Sequence, residues 1–405
     1  MRRAMIKGTP MATRTNMTNP LAWIEQELAS LEAARLRRRL AAVRMVDAVH
    51  VEVDGQRLIN FGSNDYLALA ADPRLAAAAA KVAGRDGWGS GGSPLVTGRS
   101  LALAELETEL ARFEQTEAAL VFASGFATNL GTVTALVGSG DAIFSDRLNH
   151  ASLIDGCRLS RATVHVFQHG DRDHLASLLR DARGSGRRLI VCDSLFSMDG
   201  DLAPLAEFVE LAERYDAMLL VDEAHATGVF GAGGRGVVEH LGVHSPALVR
   251  VGTLSKALGG AGGFVAGSRS MVDWIANRAR SYIFSTAPPP ATAAAARQAI
   301  RLVIEEPERR KILLQRAEML RDELVGQGWN VGPSKSQIIP VMIGDPRRAL
   351  RMAHRLRQRG LLVPAIRPPS VPAGTSRLRV SLSYAHTPAM LAELATELAP
   401  LRREA

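Results

Sequence analysis

The sequence predicts an α/β fold: a mostly parallel central sheet with helices on both faces, followed by a smaller α+β C-terminal domain. Three observations carry that prediction. Short runs that are apolar at every position recur through the middle of the chain, as strands covered on both faces require. Stretches with helical spacing separate them, so the connections are crossovers. A triple proline, Pro288-Pro289-Pro290, then interrupts the alternation, and mixed strand and helix signals follow it.

The elements follow in order. The first 18 residues carry Arg2, Arg3, Lys7 and Arg14 and no acid. An organellar address has that character, but the stretch lacks an amphipathic helix; it reads as a disordered start, with order from about Asn19. Residues 21–44 place Leu21, Ile24, Leu28, Leu31, Leu36 and Leu40 at helical spacing. They predict an N-terminal helix with the basic cluster Arg37, Arg38 and Arg39 near its end. Strands at 50–53 and 57–61 follow, joined at Asp54-Gly55, a tight-turn signal. Residues 19–61 thus form an N-terminal piece, 62–287 a large domain and 288–405 the C-terminal domain.

In the large domain the apolar runs fall at 119–122, 142–145, 164–167, 189–192, 218–221 and 248–251, with 263–267 as one more. Helical patterns begin at about Phe126 and cover 173–183 and 205–215. After the prolines a long helical pattern runs to about Leu324. A strand at 337–343, a helix at 348–359, strands at 361–366 and 377–383 and a helix from Thr387 complete the chain.

A chain of 405 residues suits two or three domains with real cores. At 47% hydrophobic residues, global disorder is excluded. No apolar run approaches the ~20 residues of a membrane helix, so no membrane partner is expected. Cys157 and Cys192 are the only cysteines; they allow neither a disulfide framework nor a metal-ligand spacing, and suit a reducing, cytoplasmic setting. The net charge of +8 raises the question of nucleic acid. Arginines and glutamates interleave on helical stretches such as 309–323, however, which is the pattern of solvated faces. The positive balance suits an anionic substrate such as a coenzyme A thioester.

Ligands of open α/β sheets bind beyond the C-terminal ends of the strands, and polar residues collect there. The run 219–221 leads into Asp222 and His225, 249–251 into Thr253, Ser255 and Lys256, 189–191 into Asp193 and then Ser197, and 121–122 into Ser124, Gly125 and Phe126. A carboxylate at a buried strand end needs a cationic partner. A protonated pyridine nitrogen is one such partner, and a nearby lysine with a lowered pKa can carry the ring as a Schiff base. An ordinary Asp222–Lys256 salt bridge is the other reading of that pair. The neighbours favour the cofactor. Thr253 and Ser255 offer hydroxyls to phosphate, Gly259, Gly260, Gly262 and Gly263 permit close approach, and Ser124-Gly125-Phe126 opens a helix whose N-terminus attracts phosphate. His225 lies within reach of the same ligand. His150 offers an imidazole that can stack on a flat ring or move a proton.

These residues resemble a known family. Residues 253–260, Thr-Leu-Ser-Lys-Ala-Leu-Gly-Gly, are similar to the lysine signature of fold type I pyridoxal phosphate enzymes. Residues 63–67, 89–93, 196–201 and 222–228 resemble the α-oxoamine synthases among them, transferases that condense an amino acid with an acyl thioester and release carbon dioxide. The run from Ala365 to Arg379 is similar to the branch that joins L-alanine to a pimeloyl thioester for biotin synthesis. The resemblance implies roles. Lys256 would hold pyridoxal 5′-phosphate and later carry the Cα proton. Asp222 would pair with the pyridine nitrogen, His225 and Ser197 with the phenolic oxygen, and His150 would stack on the ring and polarise a carbonyl. Gly125, Phe126 and Thr253 would hold the phosphate. Arg379 would take the alanine carboxylate, with Arg37, Asn64 and Ser370 near the substrates. It also implies a homodimer with the site at the interface, Ser285 and Thr286 reaching the partner's phosphate. Coenzyme A and an acyl-carrier protein both remain open as acyl donor. Two positions depart from the pattern: Ser370 replaces the usual threonine and Asp193 a common glutamate.

Three rivals remain. A glycine-using relative, making 2-amino-3-ketobutyrate or 5-aminolevulinate, shares the mechanism; the proline-rich segment from Arg367 favours alanine. A nicotinamide oxidoreductase lacks its G-x-G-x-x-G after the first strand. A basic nucleic-acid-binding protein leaves Asp222, His225 and Lys256 without a purpose.

Overall fold

The computed structural model describes residues 19–404 except residue 183; the expectation for 1–18 and the expected helix end at 183 lie outside them. The chain opens with helix α1 (Trp23–Ala33), far shorter than the expected 21–44. Arg35 takes a left-handed φ of 58°, and the amides of Leu36 and Arg37 donate back to the Leu31 carbonyl at 2.8 and 3.1 Å. This reversal satisfies carbonyls of the last turn and stops the helix. The arginine cluster therefore lies past α1 rather than on it. No residue of α1 is buried: the stripe has helical spacing, but no surface among the described residues covers it.

Strands β1 (Val43–Met45), β2 (His50–Val53) and β3 (Gln56–Asn60) form an antiparallel meander. Asp54 and Gly55 turn with φ of 54° and 76°, the doubly positive geometry that matches strand twist in a two-residue hairpin. Helices α2 (Pro73–Asp86) and α3 (Leu101–Glu114) follow, capped by Asp72 and Ser100. Each such cap stabilises its helix by ~1 kcal/mol.

The central sheet comprises β4 (Ala118–Phe122), β5 (Ala142–Asp146), β6 (Thr163–Phe167), β7 (Arg188–Asp193), β8 (Met218–Asp222), β9 (Leu248–Thr253) and β10 (Gly263–Gly267). Their spatial order is β4-β10-β9-β8-β7-β5-β6. From β9 to β6 every pairing is parallel; β10 runs antiparallel to both its neighbours. Helices α4 (Gly125–Leu136), α5 (Ala151–Ser160), α6 (Arg172–Asp181) and α7 (Leu205–Arg214) make crossovers. Alternate residues of one strand serve opposite faces. Phe144, Ile190 and Leu219 join one apolar cluster, and Ile143, Leu189 and Leu220 another. Burial of each such side chain contributes about 1.5–3 kcal/mol. Strand β6 departs from the expectation of two-sided burial. Thr163, Val164 and Val166 are exposed, because β6 is the edge strand and has no neighbour on its outer side.

After the short helix α8 (Val237–His240) and the pair α9 (Arg269–Arg278) and α10 (Arg280–Ile283), the expected long helix is two: α11 (Pro290–Glu305) and α12 (Glu308–Gly326). Glu306 leaves helical geometry at φ −118°, ψ 59°, as a residue before proline tends to do, here Pro307. The C-terminal part holds β11 (Ile338–Gly344), α13 (Pro346–Gln358), β12 (Leu361–Leu362), β13 (Ala365–Ile366), β14 (Ser376–Ser381) and α14 (Pro388–Leu398). The expected strand at 361–366 splits. β13 joins β11 and β14, whereas β12 runs parallel to β3 and completes the N-terminal sheet. The larger apolar cluster continues from Phe144 through to Leu378 and Leu394, so one core underlies both parts. Among the described residues no helix is long and apolar enough to cross a membrane.

Candidate active site

The polar residues of the site stand at the C-terminal ends of β5, β7, β8 and β9. Asp222 ends β8 and is buried. Its carboxylate accepts from the Asn129 amide at 2.6 Å and from the Ala224 N–H at 2.8 Å. Asn129 also donates to Ser152 Oγ at 2.9 Å, which ties α4 to α5 behind the carboxylate.

Lys256 lies just past β9, its Nζ 2.8 Å from His225 Nε2. His225 Nδ1 is 2.6 Å from the Tyr66 hydroxyl, and Tyr66 is 3.1 Å from Asn64 Oδ1. One donor order satisfies the chain: the lysine donates to Nε2, Nδ1–H to the tyrosine oxygen, and the tyrosine hydroxyl to Asn64. That order needs a neutral His225. Burial drives its pKa well below the usual value, and the charges of Lys256 and Arg379 push the same way. Burial also lowers the Lys256 amine to about 8, although Asp222 and Asp193 oppose the shift.

His150 caps α5. Its Nδ1 is 2.7 Å from Ser152 Oγ, and its backbone N–H donates to Asp193 Oδ2 at 2.7 Å. Partial burial of the ring lowers the His150 pKa against the pull of Asp222, and Lys256 lowers it further. Asp193, whose role the sequence leaves open, thus orients the residue that carries the imidazole. Burial raises its own carboxyl pKa well above the usual range, and the Asp222 carboxylate adds to that.

A cradle lies beside Lys256. Ser124 caps α4 by accepting from the Ala127 N–H at 3.1 Å, so Gly125 and Phe126 form its first turn, where amide groups point outward without intrahelical partners. Thr253 faces that turn and donates to the Gly262 carbonyl at 2.9 Å. The walls nearly touch. A Cβ on Gly125 would lie 3.3 Å from Thr253 Oγ1, and one on Gly263 only 2.6 Å from the Gly125 Cα. Amides at a helix start beside a threonine hydroxyl fit a phosphate group. With Asp222 for a ring nitrogen and Lys256 for an aldehyde, these residues fit pyridoxal phosphate.

Arg379, on β14, is buried. Its Nε donates to the Ser197 carbonyl at 2.5 Å, and its NH1 group to Ser381 Oγ at 2.8 Å and Asn64 Oδ1 at 3.2 Å. The fold therefore gathers Lys256, His225, Asp222, His150, Asn64, Ser197, Arg379, Thr253, Gly125 and Phe126 at one end of the sheet. Arg37 stands apart, 3.8 Å from Glu32, whereas the adjacent Arg38 donates to Ser370 Oγ at 2.9 Å. Sequence reasoning missed Tyr66 and Asn129. Asn129 had a signal, a lone amide in the apolar stretch of α4; Tyr66 lies inside a segment read only for its resemblance.

The chain matches the family model described as aminotransferase class I and II over residues 56–398. It is 49% identical over 363 residues to the 8-amino-7-oxononanoate synthase of Aromatoleum aromaticum, spanning 90% of this chain and 94% of that protein. It is 50% identical over 371 residues to the synthase of the same name from Anaeromyxobacter dehalogenans, spanning 92% and 93%. Among solved structures, a serine palmitoyltransferase from S. paucimobilis with bound PLP and myriocin superposes with a TM-score of 0.89 at 32% identity, covering 96% of this chain and 99% of that one. An 8-amino-7-oxononanoate synthase from Francisella tularensis superposes with a TM-score of 0.75 at 27% identity, covering 86% and 97%. The sheet order, the Lys256 site and these likenesses agree: the chain belongs to the aminotransferase class I and II family of pyridoxal phosphate enzymes, on its 8-amino-7-oxononanoate synthase branch.

Proposed function

We propose that this chain condenses L-alanine with a pimeloyl thioester, releasing carbon dioxide and the thiol, to form 8-amino-7-oxononanoate for biotin synthesis. Arg379 is the observation that carries the reading. It is a buried guanidinium that shares Asn64 with the chain running through Tyr66 and His225 to Lys256. A planar cation fixed in this way suits an amino acid carboxylate held close to the lysine.

When bound, pyridoxal phosphate supplies an electron sink for the charge released at the amino acid Cα. Asp222 would hold its pyridine nitrogen, His225 and Ser197 its phenolic oxygen, and Gly125, Phe126 and Thr253 its phosphate, with His150 against the ring. A Lys256 amine with a pKa of about 8 is neutral in a useful fraction near neutral pH. It is then able both to tether the cofactor and, once freed, to take the Cα proton. Its bond to His225 gives that amine one fixed direction. His150, neutral through its lowered pKa, has an imidazole N–H to polarise the thioester carbonyl. Ser370, held by Arg38 at 2.9 Å, would meet the acyl donor, either coenzyme A or an acyl-carrier protein.

The fold also suits a homodimer. Leu95, Val96, Phe126 and Phe284 are exposed apolar side chains, and Ser285 and Thr286, which follow Phe284, would reach the partner's phosphate. Two buried free cysteines, Cys157 and Cys192, suit the cytoplasm. The decisive assay follows thiol release from a pimeloyl thioester with alanine or with glycine. Preference for alanine is expected; equal or greater rates with glycine select the glycine-using alternative.

A further inference from the structure

Two irregular loops deliver residues to the site. One follows β5 and runs from Asp146 to His150. The other, residues 194–201, follows β7 and holds Ser197. His169, just past the edge strand β6, sits between them. Its Nδ1 is 3.0 Å from Asp146 Oδ1 and its Nε2 2.8 Å from Asp201 Oδ2. The ring stands edge-on to Phe196, centroids 4.3 Å apart. Carboxylates face both nitrogens, so both carry protons. Burial alone would lower the pKa of this ring, but the bonds to Asp146 and Asp201 outweigh it and carry the value up to about 10.

Each arm of this clamp continues into the site. The Asp146 side chain is fully buried and also accepts from the Leu148 and Gly170 N–H groups at 2.8 and 2.9 Å. Its carbonyl accepts from the Asn149 N–H at 3.2 Å. The orientation of Asp146 thereby shapes the turn that presents His150. On the other arm, the Asp201 carbonyl accepts from the Phe196 N–H at 3.1 Å and closes the second loop. Ser197, the next residue, offers its carbonyl to Arg379 at 2.5 Å.

We propose that His169 is a positioning residue for the amino acid subsite, clamping the His150 loop to the Ser197 loop and, through the Ser197 carbonyl, fixing the Arg379 guanidinium. The inference rests on Arg379 as the carboxylate anchor. His169 acts through its neighbours and not on the substrate.

The test uses the cofactor-loaded enzyme and His169→Gln, whose amide can donate to one carboxylate but turns its oxygen toward the other. The amino acid KM is expected to rise about tenfold, as loosened positioning does. The thioester KM should stay within about twofold, while kcat falls by a few-fold through the loosened His150. NMR of histidine-labelled wild type at pH 8 should show one doubly protonated ring that His169→Gln lacks. An unchanged amino acid KM, a parallel rise in both KM values, or a neutral His169 ring at pH 8 overturns the proposal. Should His169→Gln not fold, Asp201→Ala removes one arm and is expected to show the same selective rise in amino acid KM; its absence there overturns the proposal equally. Arg379→Lys separates the two ideas. If it leaves the amino acid KM unchanged, the anchor reading has failed, whereas the NMR signal judges the clamp directly.

Discussion

The strand-end site and the N-terminal segment of residues 19–46 are opposites in one chain. At the site almost every side chain with chemistry has a partner: Asp222 has Asn129, Lys256 has His225, and His225 has Tyr66. In the N-terminal segment Leu21, Trp23, Leu31, Leu40, Val43 and Met45 face outward. Both regions carry clear sequence patterns. The pattern becomes a packed structure only where the chain folds another surface against it, and among the described residues none lies over α1.

That contrast is open to attack at several points. The largest effect belongs to Lys256→Ala, which should lower turnover by about 10⁴-fold or more and abolish the visible band of bound cofactor; near-normal thiol release would remove the central assignment. Asp222→Ala strands the Asn129 amide and deletes a buried charge partner. Cofactor affinity, followed by fluorescence titration, should fall by about 10²-fold or more. Arg379→Lys loses the planar fork, and the amino acid KM should rise by roughly tenfold while the thioester KM stays put. In cofactor-free protein, competitive acylation should find Lys256 reacting with a midpoint of about 8. Its pKa is lowered, so the reactive neutral amine accumulates above that pH; a midpoint at 10 or above would show that its setting does not desolvate the amine. The smallest effect is expected at Trp23→Ala with Leu31→Ser. Both side chains are exposed, so the melting temperature should move by no more than about 1 °C. A drop of several degrees would reveal that α1 is covered in solution.

The central strands were legible because burial on both faces leaves a local signature, an unbroken apolar run ending in a polar residue. For the same reason Asp222 and Lys256 stood out before any contact was known. Tyr66 and Asn129 did not, because their roles exist only across gaps of 159 and 93 positions. The arginine cluster shows the limit at single-residue scale. Arg37, Arg38 and Arg39 are alike as sequence, and the turn at Arg35 decides that Arg38 meets Ser370. The two-residue strand β12 carries too little pattern to say which sheet it joins. The break at Pro307, by contrast, was present in the sequence as a residue that restricts its predecessor.

The wall of the amino acid pocket has a consequence for how the molecule comes into being. Ser381 donates to the Phe61 carbonyl and Tyr384 to the Tyr66 carbonyl, each at 2.8 Å, and Ser383 bonds Asp65 across 318 positions. Synthesis proceeds from the N-terminus at about 5–20 residues per second, so residues 61–66 emerge long before the strand that completes them. The seven strands of the central sheet all lie before residue 268. During translation the strands that lead to Asp222 and Lys256 thus emerge well before the one that carries Arg379, and the amino acid wall is the last part of the site to be made.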